Sequence, residues 1–469
     1  MKKINRFLEY IKRVLLKFFI ITFFLSLFSA PNAVAMDYSD KKIIPILIST
    51  DNGYVYPTLV SMTSMVKNKN KDVFLEFNIM VSGDTSSENR EKFKKFGNIY
   101  SKDCSTKIID MGNRFKGVRG THFPPSAFYR LLASSYLPQY EKVLYIDGDT
   151  LVRHDLNELF STNIDNYYIA GVKDMGMSLS SNSTKNSYAK KLNIKNMDQY
   201  INSGVLLMNL KRMREDRVEN KFLNYMQNGG FLKYADQEVL NSVCYGKIKP
   251  ISPVYNDFVL VLQHYNQNRH WGYAASCSKE EWKRIFSDPV IVHYAGGSKP
   301  WRTSNVKFYN EWNKFRKEVD DKFYKTIRDG IYTIESALSH NMVLDISSSS
   351  RDNEANLQLW DSNGTNAQKF HIFNVGEGLY ELAPICSGKR IDVKYSGQAN
   401  GTNVWQWEAN GTDAQKWYIK PVGNGYYNIV SKCNGLCLDV HGSQTEKGTN
   451  IWCYGKNGTN AQKFKFRAA

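Results

Sequence analysis

Ile44–Ser49 is a short apolar run that predicts a first strand, and it ends in the polar phrase Ser49-Thr50-Asp51-Asn52-Gly53-Tyr54. Pro57–Lys67 follows with helical character, with Pro57 in the first turn, where a missing N–H is tolerated. Val73–Met80 alternates like a strand. Lys107–Asp110 and Val143–Ile146 are further strand candidates around a helix near Ala127–Ser135, and Tyr168–Val172 and Gly204–Met208 continue the series. Strands alternating with helices predict an α/β domain with a largely parallel sheet. Such sheets bind ligands beyond the carboxyl ends of their strands, so polar clusters at those ends are the places to search for chemistry. Phe308, Trp312, Phe315, Val319 and Phe323 recur at helical spacing and predict a closing helix within Asn305–Ile327.

After residue 330 the texture changes to short segments rich in Gly and Asn, with a strict repeat. Leu344-Asp345, Ile391-Asp392 and Leu438-Asp439 are spaced by 47 residues, as are Trp360, Trp407 and Tyr454. NGTNAQKF, NGTDAQKW and NGTNAQKF, starting at Asn363, Asn410 and Asn457, keep the same step. Three copies of one short-stranded unit predict a closed, threefold, all-β domain.

The first 35 residues read differently again. Lys2, Lys3, Arg6, Lys12, Arg13 and Lys17 precede the apolar run Phe18–Ala30, then Pro31 and Ala33-Val34-Ala35. This is the layout of a secretory signal peptide. An uncleaved membrane anchor over residues 14–35 is the alternative. Either way the remainder is expected outside the cytoplasm, secreted or membrane-anchored.

The net charge of +17 is concentrated before residue 333: residues 36–332 hold 43 basic against 32 acidic residues, residues 333–469 only 13 against 12. A basic surface suits an anionic substrate, but no dense Lys/Arg run with interleaved aromatics points to nucleic acid. None of the seven cysteines forms the paired spacing of a zinc site. Cys386, Cys433, Cys437 and Cys453 cluster in the repeat region, where export would allow a disulfide.

Two constellations carry chemistry. Val143–Ile146 leads into Asp147-Gly148-Asp149, a turn that can present two carboxylates to one hard cation such as Mg²⁺ or Mn²⁺. The second is His293-Tyr294-Ala295-Gly296-Gly297-Ser298-Lys299, after the strand-like Pro289–Val292. Its imidazole can complete a coordination shell, its glycines admit phosphate oxygens to backbone N–H groups, and Lys299 can neutralise a diphosphate. In the first strand's polar end, Tyr54 can stack on a base and Asp51 can accept a hydrogen bond from it.

Taken in order, these motifs resemble glycosyltransferase family 8 over roughly residues 43–303. The resemblance implies a GT-A fold and a retaining enzyme using UDP-glucose or UDP-galactose with a divalent metal. It assigns Ser49, Thr50, Asp51 and Tyr54 to the nucleotide, and Asp147, Asp149 and His293 to the metal, with Gly148 between the acids. Tyr129-Arg130-Leu131 resembles the helix whose arginine reaches the donor. Asn202-Ser203-Gly204 and Asp236-Gln237 resemble the donor-sugar pocket, and Gly296 and Lys299 the phosphate loop. Asp236, Gln237, Arg130 and Lys299 are the implied catalytic groups. The repeats resemble the ricin-B-type β-trefoil, or family 13 carbohydrate-binding module. That resemblance implies sugar sites at Asp345, Gln358 and Trp360, at Asp392 and Trp407, and at Asp439 and Tyr454. Trp405 and Trp452 depart from its Q-x-W phrase, and Ala367, Ala414 and Ala461 replace its usual Asn.

The expected organisation is therefore a signal peptide or anchor at 1–35, a GT-A domain at 43–328 and a trefoil at 330–469. The expected activity is transfer of glucose or galactose to a carbohydrate or glycoconjugate acceptor. A lectin with an inactive transferase domain, or an exported glycoside hydrolase, is the alternative.

Overall fold

A computed structural model describes residues 40–258, 278–324 and 326–469. The leader and Cys277 lie outside them. Among the described residues no helix is long and apolar enough to cross a membrane.

The first unit is α/β. Its main sheet contains β1 (Lys42–Thr50), β2 (Val73–Val81), β3 (Cys104–Asp110), β4 (Lys142–Ile146), β6 (Ile169–Lys173), β7 (Ile201–Asn209) and β8 (Ile248–Pro250), in the order β3-β2-β1-β4-β7-β6-β8. A small second sheet joins β5 (Thr150–Val152), β10 (Ile291–His293) and β9 (Asp257–Phe258) in the order β5-β10-β9. Strand alternation feeds two cores. Ile44, Ile46, Ile48, Leu144, Ile146, Val205 and Leu207 pack on one face. Leu47, Val143, Tyr145, Leu206 and Met208 pack on the other. Pro45 is tolerated in a central strand because the pairing of β1 with β4 begins at Ile46, so the ladder needs no N–H from it.

The sheet is largely parallel, as the alternation of elements predicts, with one strand reversed. β7 runs antiparallel to both β4 and β6. Hydrophobic periodicity records which face is buried, not strand direction. The reversal matters for the site: it sets the start of β7, Asn202–Gly204, beside the end of β4, and the Asp147 N–H donates to the Gly204 carbonyl at 2.8 Å.

Two predicted helices differ in detail. Residues 125–132 form a 3₁₀ turn, Pro125–Leu132, followed by the single turn Ala133–Tyr136. The closing helix is shorter, Tyr309–Val319, and runs into a π-helical turn, Asp320–Tyr324. Trp312, Phe315 and Val319 are buried in the first core, and Phe323 stacks on Phe96 with centroids 6.0 Å apart.

The second unit is all-β, with four strands per 47-residue repeat. β11 (Gly330–Ser336), β12 (Met342–Ile346), β13 (Leu357–Asp361) and β14 (Phe370–Gly376) make the first. β15 (Leu379–Pro384), β16 (Arg390–Val393), β17 (Thr402–Trp407) and β18 (Trp417–Gly423) make the second. β19 (Tyr426–Ser431), β20 (Cys437–Val440), β21 (Thr449–Tyr454) and β22 (Phe464–Ala468) make the third. β22 pairs with β11 and closes the unit. The side chains of Asn356, Asn403 and Asn450, one per repeat, bond to one another where the repeats meet. The disulfide that export would allow is not formed: all six described cysteines are free thiols. Burial pushes the Cys453 thiol up to about 12.

Candidate active site

The end of β4 fixes the site's first side chain. Asp147 directly follows β4, two residues beyond Tyr145, and the Tyr145 hydroxyl donates to Asp147 Oδ1 at 2.6 Å. The same oxygen accepts from Arg130 Nη2 at 2.9 Å, and the Arg130 guanidinium lies 3.9 Å from the Tyr145 ring centre. Arg130 also donates through Nη1 to the Ser203 carbonyl at 2.5 Å. Its Nε lies 3.2 Å from Asp236 Oδ2, at ion-pair distance but out of hydrogen-bond alignment. Burial alone lowers the Arg130 pKa, but Asp147 and Asp236 overcome it and hold the guanidinium above its ordinary value. Burial pushes the Asp236 carboxyl up to about 6 despite Arg130.

Asp149 meets the second constellation. Its Oδ1 lies 3.3 Å from His293 Nε2, which stands 3.7 Å from Asp147 Oδ2. Lys299 Nζ donates to Asp149 Oδ2 at 2.5 Å and to the Tyr294 carbonyl at 2.6 Å. Burial raises the Asp149 pKa, yet Lys299 and His293 together keep it below the usual carboxylate range. One ligand atom each from Asp147, Asp149 and His293 lies within 4.8 Å of the others. Gly204 leaves the room: a Cβ there would stand 2.2 Å from His293 Cε1 and 2.8 Å from Asp147 Oδ2. Two carboxylates and an imidazole, one of the acids only partly buried, are a fitting donor set for a divalent cation.

Asn256, which the sequence did not point to, sets the imidazole. Its Nδ2 donates to Asn202 Oδ1 at 3.0 Å, so its Oδ1 faces His293 Nδ1, also at 3.0 Å. With Nδ1 as the donor, Nε2 turns a lone pair toward the two carboxylates. Gln237 is held at both ends. Its Oε1 accepts from Asn202 Nδ2 at 2.9 Å and from Ser203 N at 3.2 Å. Its Nε2 donates to Asp174 Oδ2 at 3.2 Å and to the Tyr200 hydroxyl at 3.0 Å. Asp174 is a second group that the sequence did not point to, and burial raises its pKa. The available signal was its place directly after β6, the position that Asp147 holds after β4.

These groups line one cleft of about 880 Å³. It contains Ser49, Thr50, Asp51, Tyr54, Arg130, Asp147, Gly148, Asp149, Asn202, Ser203, Gly204, Asp236, Gln237, His293, Gly296 and Lys299, so the structure brings all the transferase candidates together. Asp51 braces one wall, accepting from Gly53 N at 2.9 Å and from Ser126 Oγ at 3.1 Å. Tyr54 meets Trp301 edge-on, with centroids 5.8 Å apart. Gly296 has a φ of 87°, which an L side chain rarely adopts.

The model of the glycosyl transferase family 8 matches residues 45–305, which contain every one of these cleft residues. This chain belongs to glycosyl transferase family 8. A ricin-type beta-trefoil lectin domain-like model matches residues 319–407, 373–454 and 413–469, so a lectin-type trefoil follows the family 8 unit. A glycosyltransferase homologue of Haemophilus influenzae is 30% identical over 215 residues, 45% of this chain and 62% of that protein. The chain thus spans less than two thirds of that relative. The lipopolysaccharide 1,2-glucosyltransferase of Escherichia coli is 26% identical over 255 residues, 54% of this chain and 71% of that protein. The galactosyltransferase LgtC, solved with donor and acceptor sugar analogs, is 22% identical at a TM-score of 0.48, covering 60% of this chain and all of that one.

Outside the family 8 unit, the lectin candidates form three equivalent sets. Gln358 Nε2 donates to Asp345 Oδ1 at 3.0 Å. In the other repeats an indole N–H makes the equivalent bond. Trp405 Nε1 donates to Asp392 and Trp452 Nε1 to Asp439, both at 2.9 Å. The departure from Q-x-W therefore preserves the bond that orients the acid. Trp360 and Trp407 are half-buried and Tyr454 is exposed. Ala367, Ala414 and Ala461 are buried.

Proposed function

We propose that this chain is a metal-dependent, retaining hexosyltransferase with a GT-A catalytic domain at 43–328. It moves glucose or galactose from a UDP-sugar to a glycan or glycoconjugate acceptor. A trefoil at 330–469 binds glycan. The observation that carries the reading is the convergence of Asp147, Asp149 and His293, with Lys299 and Arg130 beside them, in one cleft. Asp147, Asp149 and His293 would hold Mn²⁺ or Mg²⁺, which when bound supplies positive charge against a diphosphate leaving group.

The chain's own residues divide the remaining work. Ser49, Thr50, Asp51 and Tyr54 receive the uridine at the end of β1. Backbone N–H groups at Gly296 and the Lys299 ammonium face the diphosphate, where negative charge grows in the transition state. Gln237 is a poor nucleophile because its Oε1 already accepts two hydrogen bonds. Asp236 is the other candidate nucleophile, but the likeness to retaining family 8 enzymes favours substitution on one face of the sugar, with a phosphate oxygen of the donor taking the acceptor's proton. Asp236, beside Arg130, orients sugar hydroxyls, and Gln237, with Asn202–Gly204, shapes the pocket around them.

The leader is read as an export signal cleaved after Ala35, or an anchor over residues 14–35. N-terminal sequencing of the purified protein separates the two. The activity is tested by following UDP release from each UDP-sugar with and without Mn²⁺. Release with UDP-glucose or UDP-galactose that stops in chelator and falls at least 100-fold in Asp149→Asn supports the reading. Release that survives both, or shortening of an oligosaccharide acceptor in place of extension, overturns it.

A further inference from the structure

The three trefoil repeats are built alike but end differently at one turn. After the second strand of each repeat lie Ser347-Ser348-Ser349, Lys394-Tyr395-Ser396 and His441-Gly442-Ser443. The middle residue is left-handed in every case, with φ of 57°, 53° and 62°. The third repeat places glycine there, which carries no strain. The second places tyrosine, whose Cβ is crowded in that conformation. Tyr395 is also 77% exposed, whereas the next such large apolar or aromatic side chain among the described residues, Ile43, is 44% exposed. A side chain held in a left-handed turn and mostly solvated is of the kind that clusters where a ligand is met.

The surroundings say what kind of ligand. Tyr395 stands edge-on to Trp405 with centroids 5.3 Å apart, and Trp405 stacks on the half-buried Trp407 at 5.5 Å. Lys394 Nζ sits 4.9 Å from the Trp405 ring centre and 5.4 Å from that of Tyr395. Among the described residues Lys394 makes no ion pair. Trp405 itself is buried, so the faces left to the C–H side of a pyranose are those of Tyr395 and Trp407, and an ammonium with no carboxylate partner attracts an anionic substituent. The first repeat has Gln358 in place of Trp405 and serines in place of Lys394 and Tyr395. The third keeps a stacked pair, Trp452 and Tyr454, with His441 against Trp452, but has no side chain at Gly442. Only the second combines an exposed aromatic with a lysine.

We propose that the second repeat is the trefoil's principal glycan site, and that Lys394 makes it select sugars bearing a carboxylate, such as uronic acids. This rests on the lectin reading of the trefoil. The test measures binding of the full chain to oligogalacturonate and to the matching neutral galactose oligomer, for the wild type, Lys394→Gln, Tyr395→Gly, Trp360→Ala and Tyr454→Ala. The wild type prefers the acidic oligomer roughly threefold at low salt and loses that preference as salt screens it. Lys394→Gln abolishes the preference, so that the two oligomers bind alike. Tyr395→Gly melts no lower than the wild type, because it relieves a left-handed tyrosine, yet loses most binding of both oligomers. An acid preference that survives Lys394→Gln overturns the selection. Binding that survives Tyr395→Gly but falls in Trp360→Ala or Tyr454→Ala moves the principal site and overturns the assignment. Failure to bind either oligomer and any sugar on a glycan array defeats the lectin reading itself, and this proposal with it.

Discussion

Gly148 lies hard against Thr58: a Cβ at residue 148 would stand 2.2 Å from Thr58 Oγ1 and 3.3 Å from its Cβ. The glycine between the two acids is therefore a packing requirement of this chain, because the helix Val55–Asn68 buries Thr58 directly beneath the turn. Gly148→Ala is expected to displace Asp147 and Asp149 and to lower UDP release by 10-fold or more. Thr58→Ala removes the nearest atom and should restore much of the loss in the double variant. A double-mutant cycle on UDP release checks it; additive effects would mean that the two residues do not compete for the same space.

Asn256 makes a different kind of contribution. It touches neither the proposed donor nor the proposed ion, but it receives His293 Nδ1 and is itself aimed by Asn202. Losing such an outer partner typically weakens metal affinity by about 10–100-fold. Asn256→Ala should therefore raise the Mn²⁺ concentration for half-maximal UDP release by about that factor. Activity at saturating Mn²⁺ should recover. A loss that no amount of Mn²⁺ repairs would mean that Asn256 acts on the fold instead.

Much of the site was legible because its residues sit at strand ends, where apolar runs stop and polar phrases begin. Asp147 after β4 and His293 at the end of β10 were found that way. The 47-residue period exposed the trefoil because each repeat solves the same packing problem with the same Leu-Asp and Ala-Gln positions. What escaped was decided by tertiary contacts. The antiparallel course of β7 has no signature in its own alternation. Asn256 looks like any loop asparagine until β9 and β10 bring it to the imidazole. Trp405 and Trp452 read as departures from a sugar-binding phrase, yet their indoles reproduce the hydrogen bond of the glutamine they replace.

Glu238, buried behind the cleft wall, gives the fold a pH dependence of stability. Its carboxyl has no exposure, accepts from Tyr234 N at 2.6 Å and from the Tyr200 hydroxyl at 3.2 Å, and is pushed by burial up to about 7. A carboxyl raised above its unfolded value favours the folded state when protonated. Its contribution is present in full below pH 4.5 and is lost as pH rises through 7. A shift of this size corresponds to about 3 kcal/mol. Glu238→Gln keeps the neutral shape and should lose less melting temperature than the wild type between pH 5 and pH 8. Parallel melting curves across that range would assign the dependence to another group.

Arg130 is the residue for which a conservative change should fail most clearly. One guanidinium serves the Ser203 carbonyl, Asp147 and the Ala127 carbonyl, and lies beside Asp236. A lysine ammonium is a point charge on a flexible stem and cannot span those partners at once. In Arg130→Lys at least one of two largely enclosed carboxylates loses its counter-charge, and stranding a buried charge costs about 3–5 kcal/mol. The expected result is a lowered urea midpoint together with at least a 100-fold fall in UDP release, about 3 kcal/mol in the transition state. Adding Asp236→Asn to Arg130→Lys removes the stranded charge and should recover stability without recovering activity. Recovery of both would mean that Arg130 serves the fold alone, whereas recovery of neither would place its main partner at Asp147.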